Sequence, residues 1–147
     1  MWRALEHLVS GCTKLAGTLY KSRHYHVLKY LHWLLCLKHS FNYCIQWWNH
    51  APAPVTENDQ VKMLWDFNIY CDRVISARRP DITIIDKAAK LITLVDVSIP
   101  ADKRVTDKED EKISKYKDLR IELERLWKMK TRIIPVVIGA LGAISKR

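Results

Sequence analysis

The stretch Pro80-Asp81-Ile82-Thr83-Ile84-Ile85-Asp86-Lys87-Ala88-Ala89-Lys90-Leu91-Ile92-Thr93-Leu94-Val95-Asp96-Val97-Ser98-Ile99-Pro100 decides how this chain folds. Two runs rich in β-branched residues, 81–86 and 91–99, flank the short segment 87–90. That is the pattern of a hairpin. A turn centred between Ala88 and Ala89 sets Asp81 opposite Asp96, Thr83 opposite Leu94 and Ile85 opposite Ile92. Side chains alternate across a strand, so these residues share one face, and Ile82, Ile84, Thr93, Val95 and Val97 take the other. Apolar residues on both faces predict central strands covered on both sides.

Two carboxylates facing each other in a covered sheet repel. A hard divalent cation relieves that repulsion, and Mg²⁺ takes one or two carboxylates together with water and phosphate oxygens. The competing reading is a slipped register that leaves one aspartate exposed at a strand end. The position two residues beyond Asp96, on the same face, is Ser98 and carries no charge. The next segment, 106–129, reads as one long helix with an apolar seam of Ile113, Tyr116, Leu119, Leu123 and Leu126/Trp127. Thr106 and Glu109 have the spacing of a capping box. Lys112 and Lys115 share a face of this helix and border Tyr116. A lysine placed there can orient a water nucleophile and stabilise a transition state electrostatically. In so Lys/Glu-rich a helix, two solvated lysines are the alternative.

Outward from this core, residues 63–69 alternate, with Met63, Trp65, Phe67 and Ile69 on one side and Asp66 and Asn68 on the other, as in a half-buried strand. Residues 132–138 predict a further strand, which Pro135 pushes to a sheet edge or a bulge. Gly139 and Gly142 loosen the tail. Composition shifts at Ala51-Pro52-Ala53-Pro54, a turn or linker. All six histidines and four of the six tryptophans lie at or before His50, where Glu6 is the only acid. Val27, Leu28, Leu31, Leu34 and Leu35 recur there at helical spacing. The chain thus divides into a helical, basic, His/Trp-rich segment (1–50) and a region of class α/β (51–147), with a small mixed sheet flanked by helices.

The length of 147 residues, 48% of them hydrophobic, supports one domain with a real core and a small appendage. A net charge of +9 favours a polyanionic partner, nucleic acid first and an anionic membrane surface second. Lys29, His32, Lys38 and His39 interrupt the most lipid-like stretch, so no membrane span is expected. The start, Met1-Trp2-Arg3-Ala4-Leu5-Glu6-His7, has no apolar run of the signal-peptide kind. Cys12, Cys36, Cys44 and Cys71 lack close pairing, which predicts reduced thiols in an intracellular protein.

Several of these features together resemble a known family. Arg79-Pro80-Asp81-Ile82, then Leu94-Val95-Asp96-Val97-Ser98-Ile99-Pro100, then Lys108-Glu109-x-Glu111-Lys112-x-x-Lys115-Tyr116, are similar to the C-terminal endonuclease of non-LTR retrotransposons. Leu64-Trp65-Asp66-Phe67-Asn68-Ile69 and Ile134-Pro135-Val136-Val137-Ile138-Gly139-Ala140-Leu141-Gly142 extend the likeness through nearly the whole chain. In that family a reverse transcriptase is followed by a restriction-enzyme-like endonuclease of the PD-(D/E)xK superfamily. The resemblance implies a restriction-endonuclease-like core and a Mg²⁺- or Mn²⁺-dependent DNA endonuclease that nicks its target to prime reverse transcription in the nucleus. It implies that Asp81 and Asp96 bind the metal. It also implies that the catalytic lysine has moved from the strand to the helix, as Lys112 or Lys115 with Tyr116 beside it. Arg79 then touches phosphate, and Asp66 is a weaker candidate for an additional metal-binding acid.

The family's zinc knuckle precedes the endonuclease. His7 and Cys12 match its last half, H-x4-C, and the first two cysteines have no counterpart. Structural zinc normally takes four ligands. No proper zinc site is therefore expected, with Cys36, Cys44 or the other histidines substituting only by chance geometry. Tyr20-x-x-Arg23-His24 resembles the segment after the knuckle, where Arg23 and His24 bind nucleic acid or form a solvated helix face. The chain reads as a fragment whose partners are DNA, element RNA and an upstream reverse transcriptase that it lacks. Two other functions stay open: a catalytically inactive nucleic-acid-binding remnant, and an α/β protein whose Trp-rich segment 33–48 packs on another protein.

Overall fold

The hairpin forms in the register that the sequence predicts. The computed structural model describes residues 20–144. Strand β3 (Ile82–Asp86) pairs antiparallel with β4 (Leu91–Ser98), with Ile82 opposite Val95, Thr83 opposite Leu94 and Ile85 opposite Ile92. The Asp86 side chain accepts a hydrogen bond from the Ala89 amide at 2.9 Å, and Lys90 closes the turn with φ 52°. An aspartate bonding its own turn in this way is what fixes the loop length and therefore the register.

Around this pair stands one five-stranded sheet in the order β1-β2-β3-β4-β5, with β1 (Val55–Glu57), β2 (Val61–Trp65) and β5 (Lys130–Val137). Every pairing is antiparallel except β4 with β5, which is parallel. The coarse expectation of an α/β chain with a small mixed sheet holds. Pro135 lies opposite Asp96 on β5, an edge strand, as a residue without an N–H requires. Strand β2 is shorter than its alternating pattern predicts. Asp66 adopts φ 47°, a left-handed conformation that ends the ladder, so Phe67 and Ile69 belong to the loop beyond it.

The two faces of the sheet carry different cores. On one face, α1 (Lys21–Lys38) packs Leu28 and Cys36 against Met63, Ile82, Ile84 and Val97. On the other, α2 (Val105–Lys115) and α3 (Lys117–Trp127) cover Ile85, Ile92 and Leu94 with Tyr116, Leu119 and Leu123. Ile92, Leu94, Leu119 and Leu123 are completely buried, each contributing roughly 2 kcal/mol of transfer free energy. The apolar alternation of β3 and β4 is thus used on both sides.

Two local expectations are corrected. The segment 106–129 is not one helix: it breaks at Tyr116 (φ −98°, ψ 8°), where the phenol turns inward and its hydroxyl donates to the Arg79 carbonyl at 3.4 Å. The capping box at Thr106 and Glu109 also does not form. A short 3-10 turn, Asp102–Arg104, runs directly into α2, so the cap falls on Arg104, without a side-chain hydrogen bond, and Thr106 is already inside the helix. The end of α1 is better defined. The Phe41 amide donates to the Cys36 carbonyl at 2.9 Å and the Ser40 amide to Leu37 at 3.5 Å, with Ser40 at φ 61°, which is a Schellman motif. Among the described residues no helix is long and apolar enough to cross a membrane.

Candidate active site

At the open end of the hairpin the two aspartates meet. Asp81 immediately precedes β3 and Asp96 lies near the end of β4, so the register brings them together. Their carboxyl groups are within hydrogen-bonding reach of one another. Asp81 Oδ2 accepts a 2.7 Å hydrogen bond from the Val97 amide. Asp96 is buried, and α2 lays Lys112 over it with Nζ 2.7 Å from Asp96 Oδ2. That oxygen has no solvent contact and accepts no well-directed hydrogen bond, since the ammonium is close but poorly aligned.

His24 reaches the pair from α1. Its Nε2 lies 3.0 Å from the Val97 carbonyl and 3.3 Å from Asp81 Oδ2. The proton on Nε2 donates to that carbonyl and leans on the carboxylate. Sequence reasoning assigned His24 to nucleic acid and missed this contact. No spacing in the chain could have revealed it, because it depends on how α1 lies across the sheet.

The charges sort themselves by environment. Burial, and then the neighbouring Asp81 carboxyl, push Asp96 up to about 6, against the pull of Lys112. Burial alone would also raise Asp81. The hydrogen bonds from His24, Asp96 and the Val97 amide outweigh it and hold Asp81 below the ordinary carboxylate range. The bond to Asp81 raises the His24 imidazole, although burial opposes it. Burial and the two carboxylates raise the Tyr116 phenol, which keeps it a donor. Two carboxyls whose affinities for a proton are driven apart share a site that one proton or one cation can neutralise.

The remaining sequence candidates stand elsewhere. Lys115 is exposed, with Nζ 5.0 Å from the centre of the Tyr116 ring. Arg79 forms an exposed two-pronged ion pair with Asp66, at 2.8 and 3.1 Å, so Asp66 pairs with a guanidinium and not with the acidic pair. The Arg23 guanidinium lies 5.0 Å from the centre of the Tyr20 ring. His7 and Cys12 lie outside the described residues.

A divalent cation fits this donor set. Two hard carboxylates converge, one bearing a buried oxygen without a well-directed hydrogen bond. A cleft of about 410 Å³ lies beside them, lined by His24, Val97, Ser98, Pro100 and Lys108 among others. No family model, curated protein or solved structure matches the chain.

Proposed function

We propose that this chain is the restriction-enzyme-like endonuclease region of a non-LTR retrotransposon, hydrolysing DNA phosphodiesters with Mg²⁺ or Mn²⁺. The observation that carries this reading is the Asp81–Asp96 pair with Lys112 held 2.7 Å from Asp96. Asp81 and Asp96 would hold the ion. When bound, the ion would neutralise charge on the scissile phosphate and acidify an attacking water.

The chain's own groups supply the rest. Asp81 is ionised at neutral pH, and Asp96 joins it above about pH 6. Lys112 places a positive charge beside the pair, where it stabilises charge developing on the phosphate. Tyr116 keeps its proton and fixes the Arg79 carbonyl, which steadies the chain entering Asp81. In the reaction a water gives up a proton to solvent as its oxygen bonds to phosphorus, the P–O3′ bond breaks, and the 3′ oxygen leaves and takes up a proton from solvent. The free 3′ end then serves as primer for the element's reverse transcriptase in the nucleus.

The test is nicking of supercoiled plasmid by the purified chain. Activity should require Mg²⁺ or Mn²⁺ and vanish in Asp81→Ala and in Asp96→Ala, with circular dichroism unchanged. Nicking retained by both folded variants would sink the assignment. One observation favours the other reading, an inactive DNA-binding remnant. With Lys112 on Asp96 and His24 on Asp81, the pair is already balanced by two basic side chains. Calorimetric titration separates the two, since a working site takes up Mg²⁺ through both aspartates and a remnant does not.

A further inference from the structure

On the opposite face of the sheet lies a second polar cluster, remote from the acidic pair in chemistry. His32 and Cys36 stand one turn apart on α1, so their side chains share a face. His50, just beyond the 3-10 turn Trp47–Asn49, comes up against them. His32 Nδ1 is 2.7 Å from His50 Nε2 and 3.7 Å from Cys36 Sγ, and one ligand atom from each residue lies within 4.8 Å of the others. The three are 1%, 1% and 7% exposed.

Hydrogen bonding within the trio does not satisfy it. Only one proton can lie between the two imidazoles, and His32 Nδ1 faces both His50 Nε2 and the Cys36 thiol. Half-satisfied polar groups inside an apolar cluster are costly, and Cys36 here belongs to the core that contains Leu28, Phe41 and Met63. Neutral imidazole and thiolate are the forms that bind a metal.

We propose that His32, Cys36 and His50 form a zinc site, independent of the acidic pair and of any half-knuckle at His7 and Cys12. One sulfur and two nitrogens are the donors that Zn²⁺ takes and Mg²⁺ declines. Tetrahedral coordination at ordinary Zn–N and Zn–S lengths spaces two nitrogens by about 3.3 Å and nitrogen from sulfur by about 3.6 Å. The His32–Cys36 spacing already matches that arrangement, and the two imidazoles open by about 0.6 Å to reach it. The three side chains leave the fourth position open to one further ligand. The ion ties the C-terminal half of α1 to the segment entering β1, and so holds the helix that also presents His24 to Asp81.

Cobalt substitution tests this. One equivalent of Co²⁺ added to the metal-free full chain should give tetrahedral d–d bands and a thiolate-to-cobalt charge-transfer band, displaced by Zn²⁺ and not by Mg²⁺. The same spectrum should appear in the Asp81→Ala/Asp96→Ala chain, which separates this site from the nuclease reading. Cys36→Ser should lose the charge-transfer band. His50→Gln should weaken zinc binding by at least about 100-fold and, as a milder change, covers the case in which the first variant fails to fold. An octahedral cobalt spectrum without charge transfer, or a band that survives in Cys36→Ser, overturns the site.

Discussion

Lys112 and Lys115 are equivalent by spacing, yet only Lys112 reaches the acidic pair. The helix break at Tyr116 decides between them, because it ends the turn on which Lys115 sits and leaves that side chain over the outer ring face. Lys112→Ala should therefore lower the nicking rate by about 100- to 1,000-fold, the usual loss for one electrostatic donor. Lys115→Ala should leave it near wild type, as single-turnover kinetics at saturating DNA will show; equal losses would contradict the geometry. Asp81 and Asp96 were legible from hairpin arithmetic, whereas His24 was not, since its contact is purely tertiary.

The same residues set the pH dependence of stability. Asp96 rises from its ordinary 3.8 to about 6 in the fold, so between those values the folded chain keeps a proton that the unfolded chain has lost. Stability falls there as pH rises. His24 is raised above its ordinary 6.5, so its contribution is full below that value and is lost as pH climbs through the folded one. Asp81 acts the other way, its contribution present above 3.8 and lost on acidification through its lower folded value. Over the same range His32, lowered to about 4 by burial, and the likewise lowered His39 and His50 act in the opposite sense, so the readable quantity is a difference between chains: from about pH 4 to about pH 6 the metal-free wild type should lose stability relative to Asp96→Asn. A difference between the two chains that stays flat over this range would contradict the assignment.

At the scale of elements, turn chemistry proved harder to read than strand pattern. Strands β3 and β4 follow directly from β-branched runs around 87–90. The capping box at Thr106 failed because a 3-10 turn took the helix start, and such a turn has no strong composition signal. The Schellman end of α1 left no trace either, because a serine occupies the position where glycine is usual. Ser40 is exposed, so replacing it tests the backbone alone. Ser40→Gly relieves left-handed strain of about 1 kcal/mol and gives back part of it as chain entropy. We expect a net gain of about 0.5 kcal/mol, read from urea unfolding; a loss would mean that the serine side chain holds the cap.

At the scale of the molecule, the composition break at 51–54 suggested two regions, but α1 and the sheet share one apolar core. The periodicity of α1 showed that it would bury a face and gave no sign of what it would cover. Residue content alone also hid the clustering of His32, Cys36 and His50, because the third member arrives through a loop. The +9 charge pointed to a polyanion without marking where it would bind.

The hairpin register carries a consequence for how such a chain can change length over generations. Asp81 and Asp96 share a face only because an even alternation separates each of them from the turn. One codon gained between Ile92 and Val95 would reverse that parity and swing Asp96 toward Leu28 and Met63, burying a charge among hydrocarbons. A longer turn at 87–90 costs the Asp86–Ala89 bond but leaves each strand's alternation intact, whereas along the strands the chain tolerates only paired steps.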